Sequence, residues 1–293
     1  MYDVIIIGAG PAGLTSALYL LRANKKVLVL EAKSYGGQII NASNVENYPG
    51  IESISGFDFA TNLYNQVVKL GGEIKFETVI RVEEDRRVIT SKNEYNSKAV
   101  IIATGAANRK LNIENEEKFI GKGISYCATC DGNFFKNKEV AVNGGGNTAL
   151  EDAIYLSNLC SKVYLIHRRD EFRGEDKYVE ELKNKSNVEF ILNSKITSIN
   201  GLDKLESITI NEDKEIKVDG LFIAIGQEPK NDIFSNVVDL DDKGYIITHD
   251  DVYTKTDFIY VAGDTREKEL RQLTTAVSDG SIAATIALKE MRG

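Results

Sequence analysis

Short runs of consecutive apolar residues, several of them closed by glycine or a charged side chain, recur along this chain. They are Val4 to Ile7, Val27 to Leu30, Ala99 to Ile102, Val140 to Val142, Val163 to Ile166, Leu221 to Ile223 and Tyr260 to Ala262. Runs of three to five apolar residues bounded by turn signals predict buried strands. Between some of them the period lengthens. Leu14, Ala17, Leu18 and Leu21 predict a helix after the first run, Leu150, Ala153 and Ile154 one after the fourth, and a closing helix runs through Met291. At 293 residues the chain has length for about two domains, each with its own core.

Glycine clusters stand where strand passes to helix. The first run leads into Gly8-Ala-Gly10-Pro-Ala-Gly13, the G-x-G-x-x-G spacing of a dinucleotide loop. The first glycine permits the turn, the second lets backbone approach a pyrophosphate, and the third lets helix pack on strand. The free N–H groups and the helix dipole then receive phosphate. The second run ends in Glu31, placed to accept from both hydroxyls of an adenosine ribose. The pattern recurs at Gly144-Gly-Gly146-Asn147-Thr148-Ala149. Glu31 stands 23 positions after Gly8, and His167 stands 23 positions after Gly144. The second cleft therefore carries His167, Arg168 and Arg169, with Arg173 close behind, where the first carries an acid. A carboxylate there repels a 2′-phosphate and a basic cluster attracts one, so the second cleft reads as an NADPH site. Asp170, Glu171, Glu175 and Asp176 dilute the cluster, but the matched spacing favours the functional reading over a solvated charge run. Asn143, polar at the end of an apolar strand, has no explanation at this level.

Each half closes on a strand followed by glycine, at Thr104-Gly105 and at Ile225-Gly226, where backbone passes close to a nucleotide. Asp264 follows the last apolar run, at a strand end where ligands of parallel sheets gather. It is placed to accept from a ribityl hydroxyl. The helix after it points its N-terminus at whatever lies above the sheet, which suits a flavin that gains negative charge on reduction.

Cys127-Ala-Thr-Cys130-Asp131 carries the reactive chemistry. Two thiols two residues apart can close and reopen a disulfide, and the adjacent carboxylate can move protons. Half of a zinc site is the competing reading. A closed zinc site needs four N or S ligands, and beyond the pair the chain offers only Cys160, His167 and His249, none at ligand spacing. Cys160 occupies an apolar position after the second glycine loop and reads as a packing thiol. His249 falls in a polar loop and reads as solvated.

Composition narrows the class further. The net charge of −8 argues against a nucleic-acid surface. No run approaches the ~18–20 apolar residues of a membrane span, and no basic, then apolar, secretory segment opens the chain. Three cysteines without such a signal point to a reducing compartment, with the cytoplasm as the expectation.

Taken with Gly36-Gly37-Gln38, Glu46-Asn47-Tyr-Pro-Gly50 and Leu270-Arg271-Gln272, these motifs closely resemble bacterial-type, low-molecular-weight thioredoxin reductase, in family order and over essentially the whole chain. The resemblance implies an α/β fold of two Rossmann-like, three-layer domains and a homodimeric flavoprotein. The FAD domain would be residues 1–109 with 240–293, split by an NADPH domain at 110–239 that also carries the Cys pair. It implies FAD held by Gly8, Gly10, Gly13, Glu31, Gly37, Gln38, Asn47, Thr104, Gly105, Asp264, Arg271 and Gln272. NADPH would be held by Gly144, Gly146, Asn147, Thr148, Ala149, His167, Arg168, Arg169, Arg173, Ile225 and Gly226. Asn147-Thr148 stands where Asp-Ser is commoner, and the approach to the last strand lacks the usual Pro-Gly turn.

By the same resemblance, electrons pass from NADPH through FAD to the Cys127–Cys130 disulfide and on to a disulfide of thioredoxin or a similar small protein. Cys130 would face the flavin, Cys127 would attack the partner, and Asp131 would carry the proton. Because the dithiol and the nicotinamide site must each reach one flavin within ~3–3.5 Å, the inserted domain is expected to rotate, with hinges near Asn112–Glu114 and Asp239–Asp241. Relatives that take electrons from ferredoxin or run as dithiol oxidases are the alternative. The retained basic cluster and nicotinamide loop speak against both.

Overall fold

A computed structural model describes residues 1–42, 44–249 and 251–292. The chain forms two compact units. One comprises Met1–Ala107 with Glu228–Gly293 and the other Asn108–Gln227.

The first unit is built on a sheet whose parallel strands are Glu73–Phe76, Val27–Glu31, Tyr2–Ile7, Glu94–Ile102 and Ile259–Val261. The long strand Glu94–Ile102 changes neighbour along its length. Its first half pairs antiparallel with Arg87–Thr90, and its last three residues pair in parallel with Ile259–Val261. Unbroken apolar runs are required because both faces of these strands are covered. Val4, Ile6, Val27 and Val29 pack under the helices Pro11–Arg22 and Leu273–Glu290. Ile5, Ile7, Leu28 and Leu30 pack on the opposite face with Val82, Val88 and Phe234. Each fully buried Ile or Leu contributes roughly 1.5–3 kcal/mol of transfer free energy.

The second unit repeats the plan with a parallel sheet in the order Val188–Ile191, Lys162–Ile166, Glu139–Gly144, Gly220–Ala224 and Ile124–Ser125. Val140, Val142, Val163, Leu165 and Phe222 face the helix Asn147–Ser157. Ala141, Ile166, Leu221 and Ile223 face the antiparallel strands Ile196–Asn200, Ser207–Ile210 and Lys214–Lys217. That three-stranded layer takes the place of a second helical layer.

The crossings between units differ from those expected. The chain returns to the first unit after Gln227, whereas the family resemblance implied a return after residue 239. Phe234, Val237 and Val238 are fully or almost fully buried among Ile5, Leu28 and Ile102, so their apolar surface belongs to the first core. At the first crossing, the backbone N–H groups of Leu111 and Asn112 are held at 2.9 and 2.8 Å by the buried Glu116 carboxylate. Those two residues are thus tied to Glu116 within the second unit.

Candidate active site and dinucleotide clefts

Cys127 and Cys130 are joined in a disulfide, with Cα atoms 5.3 Å apart and both residues half-buried. The pair brackets the start of a single helical turn, Ala128–Asp131, in which the Asp131 N–H donates to the Cys127 carbonyl at 3.1 Å. Gly132 follows because the chain must run against the helix Asn147–Ser157. A Cβ there would lie 2.8 Å from the Tyr155 ring and 3.2 Å from Leu156. One oxygen of Asp131, Oδ2, accepts from the Ser125 hydroxyl at 2.6 Å. The other, Oδ1, is enclosed and has no hydrogen-bond partner. Burial pushes this carboxyl above the usual carboxylate range, and the Ser125 hydrogen bond opposes the rise. A carboxyl raised in this way takes up a proton more readily than an exposed one.

Cys160 lies three residues past the end of that helix rather than on it, buried among Val140, Ala153, Leu156 and Val163. Burial first, and Asp219 second, push its thiol up to about 11. It carries almost no thiolate at neutral pH. Cys160→Ser is therefore expected to retain disulfide-reductase turnover within about twofold, at a stability loss of roughly 1–3 kcal/mol from burying a hydroxyl. Steady-state turnover and a thermal melt check this, and loss of turnover in folded protein would give Cys160 a redox role.

In the first unit the expected cofactor residues converge on one end of the sheet. Gly8 adopts a φ of +110°, and a Cβ on it would collide with the Ala103 carbonyl. Strand end and Thr104 turn thus meet only because the side chain is absent. Gly13 likewise packs on the Gly8 carbonyl. Gly10 caps the helix that begins at Pro11, and a Cβ on Gly37 would come within 3.3 Å of the Gly10 Cα. Glu31 accepts from the N–H groups of Ala9 and Lys33, both at 2.9 Å. A carboxylate has about four acceptor sites, so two of those sites remain for ribose hydroxyls. Gln38 donates to the Ala106 carbonyl, and Asn47 donates to Gln272 at 3.2 Å. The exposed Thr104 is hydrogen-bonded to Thr265 at 2.9 Å, ahead of Gly105 at a φ of +68°. Arg271 lies over the Tyr245 ring at 4.0 Å, with its Nε donating to the Asp264 carbonyl at 3.4 Å.

Behind Asp264 is a buried charge cluster that motif reading missed. Asp279 Oδ2 accepts from the Gly263 N–H at 3.0 Å, Arg266 Nε at 3.0 Å and Lys268 Nζ at 2.8 Å. This pins the Gly263-Asp264 turn onto the closing helix. Lys268 also lies 4.0 Å from Asp264 Oδ1, an ion-pair distance but too long for a hydrogen bond. Oδ1 is buried without a donor. Burial raises the Asp264 carboxyl, Lys268 and Arg271 lower it, and Asp279 adds to the rise. An enclosed acceptor lacking a donor is the feature that a ribityl hydroxyl would complete, so these residues fit a flavin dinucleotide.

The second cleft is closed by loop-to-loop bonds. Gly144 has no room for a side chain against the Ala224 carbonyl, and Gly145 is covered by the His167 imidazole. The Gly145 carbonyl accepts from the N–H groups of Arg173 and Gly174 at 2.7 and 3.2 Å. Asn147 exchanges two hydrogen bonds with Glu175, at 2.8 and 3.0 Å. These contacts bring Arg173 to the glycine loop. Gly146, at the N-cap of the helix Asn147–Ser157, faces open space, Thr148 is exposed and Ala149 is buried. Ile225 and Gly226, the latter at a φ of +101°, follow the strand that lies beside Gly144. Arg168, Arg169 and Arg173 are exposed and make no ion pair among the described residues.

His167 behaves differently from the arginines beside it. It is 5% exposed, stacked on Phe172, with Nε2 enclosed and unpartnered. Burial holds its pKa below the ordinary histidine value, opposed by a hydrogen bond with the Glu171 backbone and helped by the positive charge of Arg173, Arg168 and Arg169. It is neutral at pH 7, so the positive charge of the cluster comes from the arginines. Asn143 is buried at the end of its strand, and nothing in the structure explains its polarity.

Among the described residues no helix is long and apolar enough to cross a membrane, and no cluster of three or more His, Cys, Asp or Glu side chains could hold a metal ion. Residues 2–280 match the family described as pyridine nucleotide-disulphide oxidoreductase. The chain is 43% identical over 295 residues to a thioredoxin reductase of Bacillus subtilis, covering 97% of this chain and 93% of that one. It is 41% identical over 298 residues to a thioredoxin reductase of Listeria monocytogenes, covering 99% and 93%. The crystal structure of thioredoxin reductase from Streptococcus pyogenes superimposes with a TM-score of 0.95 at 38% identity, over 100% of this chain and 98% of that one.

Proposed function

Since this chain belongs to the thioredoxin reductases of the pyridine nucleotide-disulphide oxidoreductase family, we propose that it reduces the disulfide of thioredoxin, or of a similar small protein, with electrons from NADPH. The observation that carries this reading is the closed Cys127–Cys130 disulfide with the half-buried Asp131 attached to it, in a chain with two glycine-loop clefts. Bound FAD would supply the two-electron relay between NADPH and the Cys127–Cys130 disulfide.

The chain's own residues do the rest. Gly8, Gly10, Gly13 and the N-terminus of the helix Pro11–Arg22 receive pyrophosphate, Glu31 holds the ribose, and Asp264 takes the ribityl side of the flavin, steadied by Asp279 and Lys268. Gly144, Gly146 and the N-terminus of the helix Asn147–Ser157 receive the phosphates of NADPH. Arg168, Arg169 and Arg173 meet the 2′-phosphate, and His167 supports Gly145 as a neutral ring. Their unpaired charge favours NADPH over a ferredoxin as the electron source. After reduction Cys127 attacks the partner disulfide and Cys130 resolves the mixed disulfide, while Asp131 carries a proton to the departing thiolate. The working assembly is a homodimer and the compartment the cytoplasm, a reading supported by the family and by the scarcity of cysteine.

Purified protein is expected to be yellow, with one FAD per chain, and to oxidise NADPH rapidly only when a thioredoxin is added. Absorbance of flavin and of NADPH reads both. Thioredoxin-independent turnover at the full rate, or no flavin after reconstitution with FAD, overturns the reading.

A further inference from the structure

Ser125 has no part in the chemistry described so far, yet its hydroxyl joins both ends of the redox turn. It is 4% exposed and closes the short strand Ile124–Ser125, in register with Leu221 and Phe222. Its position is therefore fixed by the sheet. Its Oγ accepts the Cys127 N–H at 3.0 Å and lies 2.6 Å from Asp131 Oδ2 and 3.2 Å from the Cys127 carbonyl. A hydroxyl has one proton to donate. The 2.6 Å contact to a carboxylate is in the charge-assisted range and outcompetes the longer one to a carbonyl.

We infer that Ser125 is a positioning residue for thiol–disulfide exchange: through Oδ2 it anchors the Asp131 carboxyl that carries the proton between Cys130 and the departing partner thiolate. This rests on the assignment of Asp131 as the proton carrier. The Cys127 thiolate attacks one sulfur of the partner disulfide, whose S–S bond breaks as a mixed disulfide forms, and the first partner thiolate leaves and takes a proton from solvent. The Asp131 carboxylate takes the proton of the Cys130 thiol. The Cys130 thiolate then attacks Cys127, the mixed disulfide breaks, and the second partner thiolate receives that proton from Asp131. The enzyme dithiol is oxidised by two electrons and the partner disulfide is reduced by two.

Few groups compete with Ser125 for control of this carboxyl. Burial and the Ser125 hydrogen bond are the influences on Asp131, and no charged side chain is among them. The helix packed against Gly132 carries Tyr155, Glu151 and Asp152. Asp152 is pushed up to about 7 by burial and by Glu151, not by Asp131. Tyr126, on the near side, donates to Glu116 at 2.8 Å. Cys127 and Cys130 titrate only once reduced. Removing the one hydrogen bond that favours the anion must raise the Asp131 pKa further. The carboxylate form is the proton acceptor, so exchange falls as pH drops through that pKa, and raising it moves the fall to higher pH.

The test is the pH profile of NADPH-driven thioredoxin reduction by the flavin-loaded protein. Ser125→Ala is expected to move the acid-side half-point up by about one pH unit, equal to a roughly tenfold lower rate below both half-points. Ser125→Thr, which keeps the hydroxyl, is expected to restore the wild-type half-point. In Asp131→Asn that limb is expected to vanish along with most of the exchange rate. An unshifted profile in Ser125→Ala alongside a crippled Asp131→Asn overturns the role of Ser125 alone. Full exchange in Asp131→Asn overturns the proton-carrier assignment beneath it. Should Ser125→Ala not fold, the infrared carboxyl band of wild type that is lost in Asp131→Asn decides. A hydrogen-bonded C=O frequency upholds the proposal and an unbonded one sinks it.

Discussion

Serine in place of Cys127 or Cys130 is expected to abolish turnover of a protein disulfide, by roughly a thousandfold or more, since each sulfur is half of the bond that is made and broken. The two variants should nevertheless differ. Cys130→Ser leaves Cys127 able to attack but nothing to resolve the product, so a mixed disulfide with thioredoxin accumulates and is seen on a non-reducing gel. Cys127→Ser leaves no attacking thiol and traps nothing. If Cys130 faces the flavin as the family likeness implies, its thiolate in Cys127→Ser gives a long-wavelength absorption band that Cys130→Ser lacks. Neither substitution touches the glycine loops or the Arg168 cluster, so both variants should still bleach their flavin with NADPH. Sustained thioredoxin reduction by either variant removes this disulfide from the electron path.

The second large effect concerns cofactor choice. Arg168 and Arg169 are exposed, with no carboxylate in ion-pair range among the described residues, so their charge is available to an anion. A charge-assisted hydrogen bond is worth about 1.5–3 kcal/mol, and exposure puts these contacts at the low end through screening. Two together amount to roughly 3 kcal/mol, about a hundredfold in affinity. Neutralising both is expected to raise the KM for NADPH by about that factor, to leave the KM for NADH within about twofold, and to weaken the salt dependence of NADPH binding. Flavin-bleaching titrations with each nucleotide measure this. Equal losses for NADH and NADPH show that the cluster holds something other than the 2′-phosphate. Because His167 is neutral, the preference for NADPH should persist from pH 7 to pH 8 instead of titrating away.

Local pattern and distant contact contributed differently to what is known of this chain. An apolar run reads as a strand because a strand buried on both faces needs an unbroken run, and a glycine spacing reads as a phosphate loop because the turn excludes a Cβ. Both are local requirements, written within about ten residues. Cys127-x-x-Cys130 belongs to the same class, and the 23-residue offsets to Glu31 and His167 span no more than one strand–helix–strand unit. They were legible without coordinates. The side of the fold to which residues 228–239 belong was not, since Phe234 and Val238 find their apolar neighbours in strands more than a hundred positions away in the sequence. Nor was the state of His167, which counts as a cation by its neighbours and is made neutral by burial over Gly145. Ser125 and Asp131 are six residues apart, yet their hydrogen bond exists only because strand Ile124–Ser125 is held by Leu221 and Phe222. Asp279 reaches Gly263 because one helix folds back on the first sheet. Hydrophobic period and steric demand are properties of neighbouring residues, so sequence by itself determined the elements and their phosphate loops. Desolvation and hydrogen-bond geometry depend on which distant groups exclude water from a side chain, and only the tertiary structure decided those.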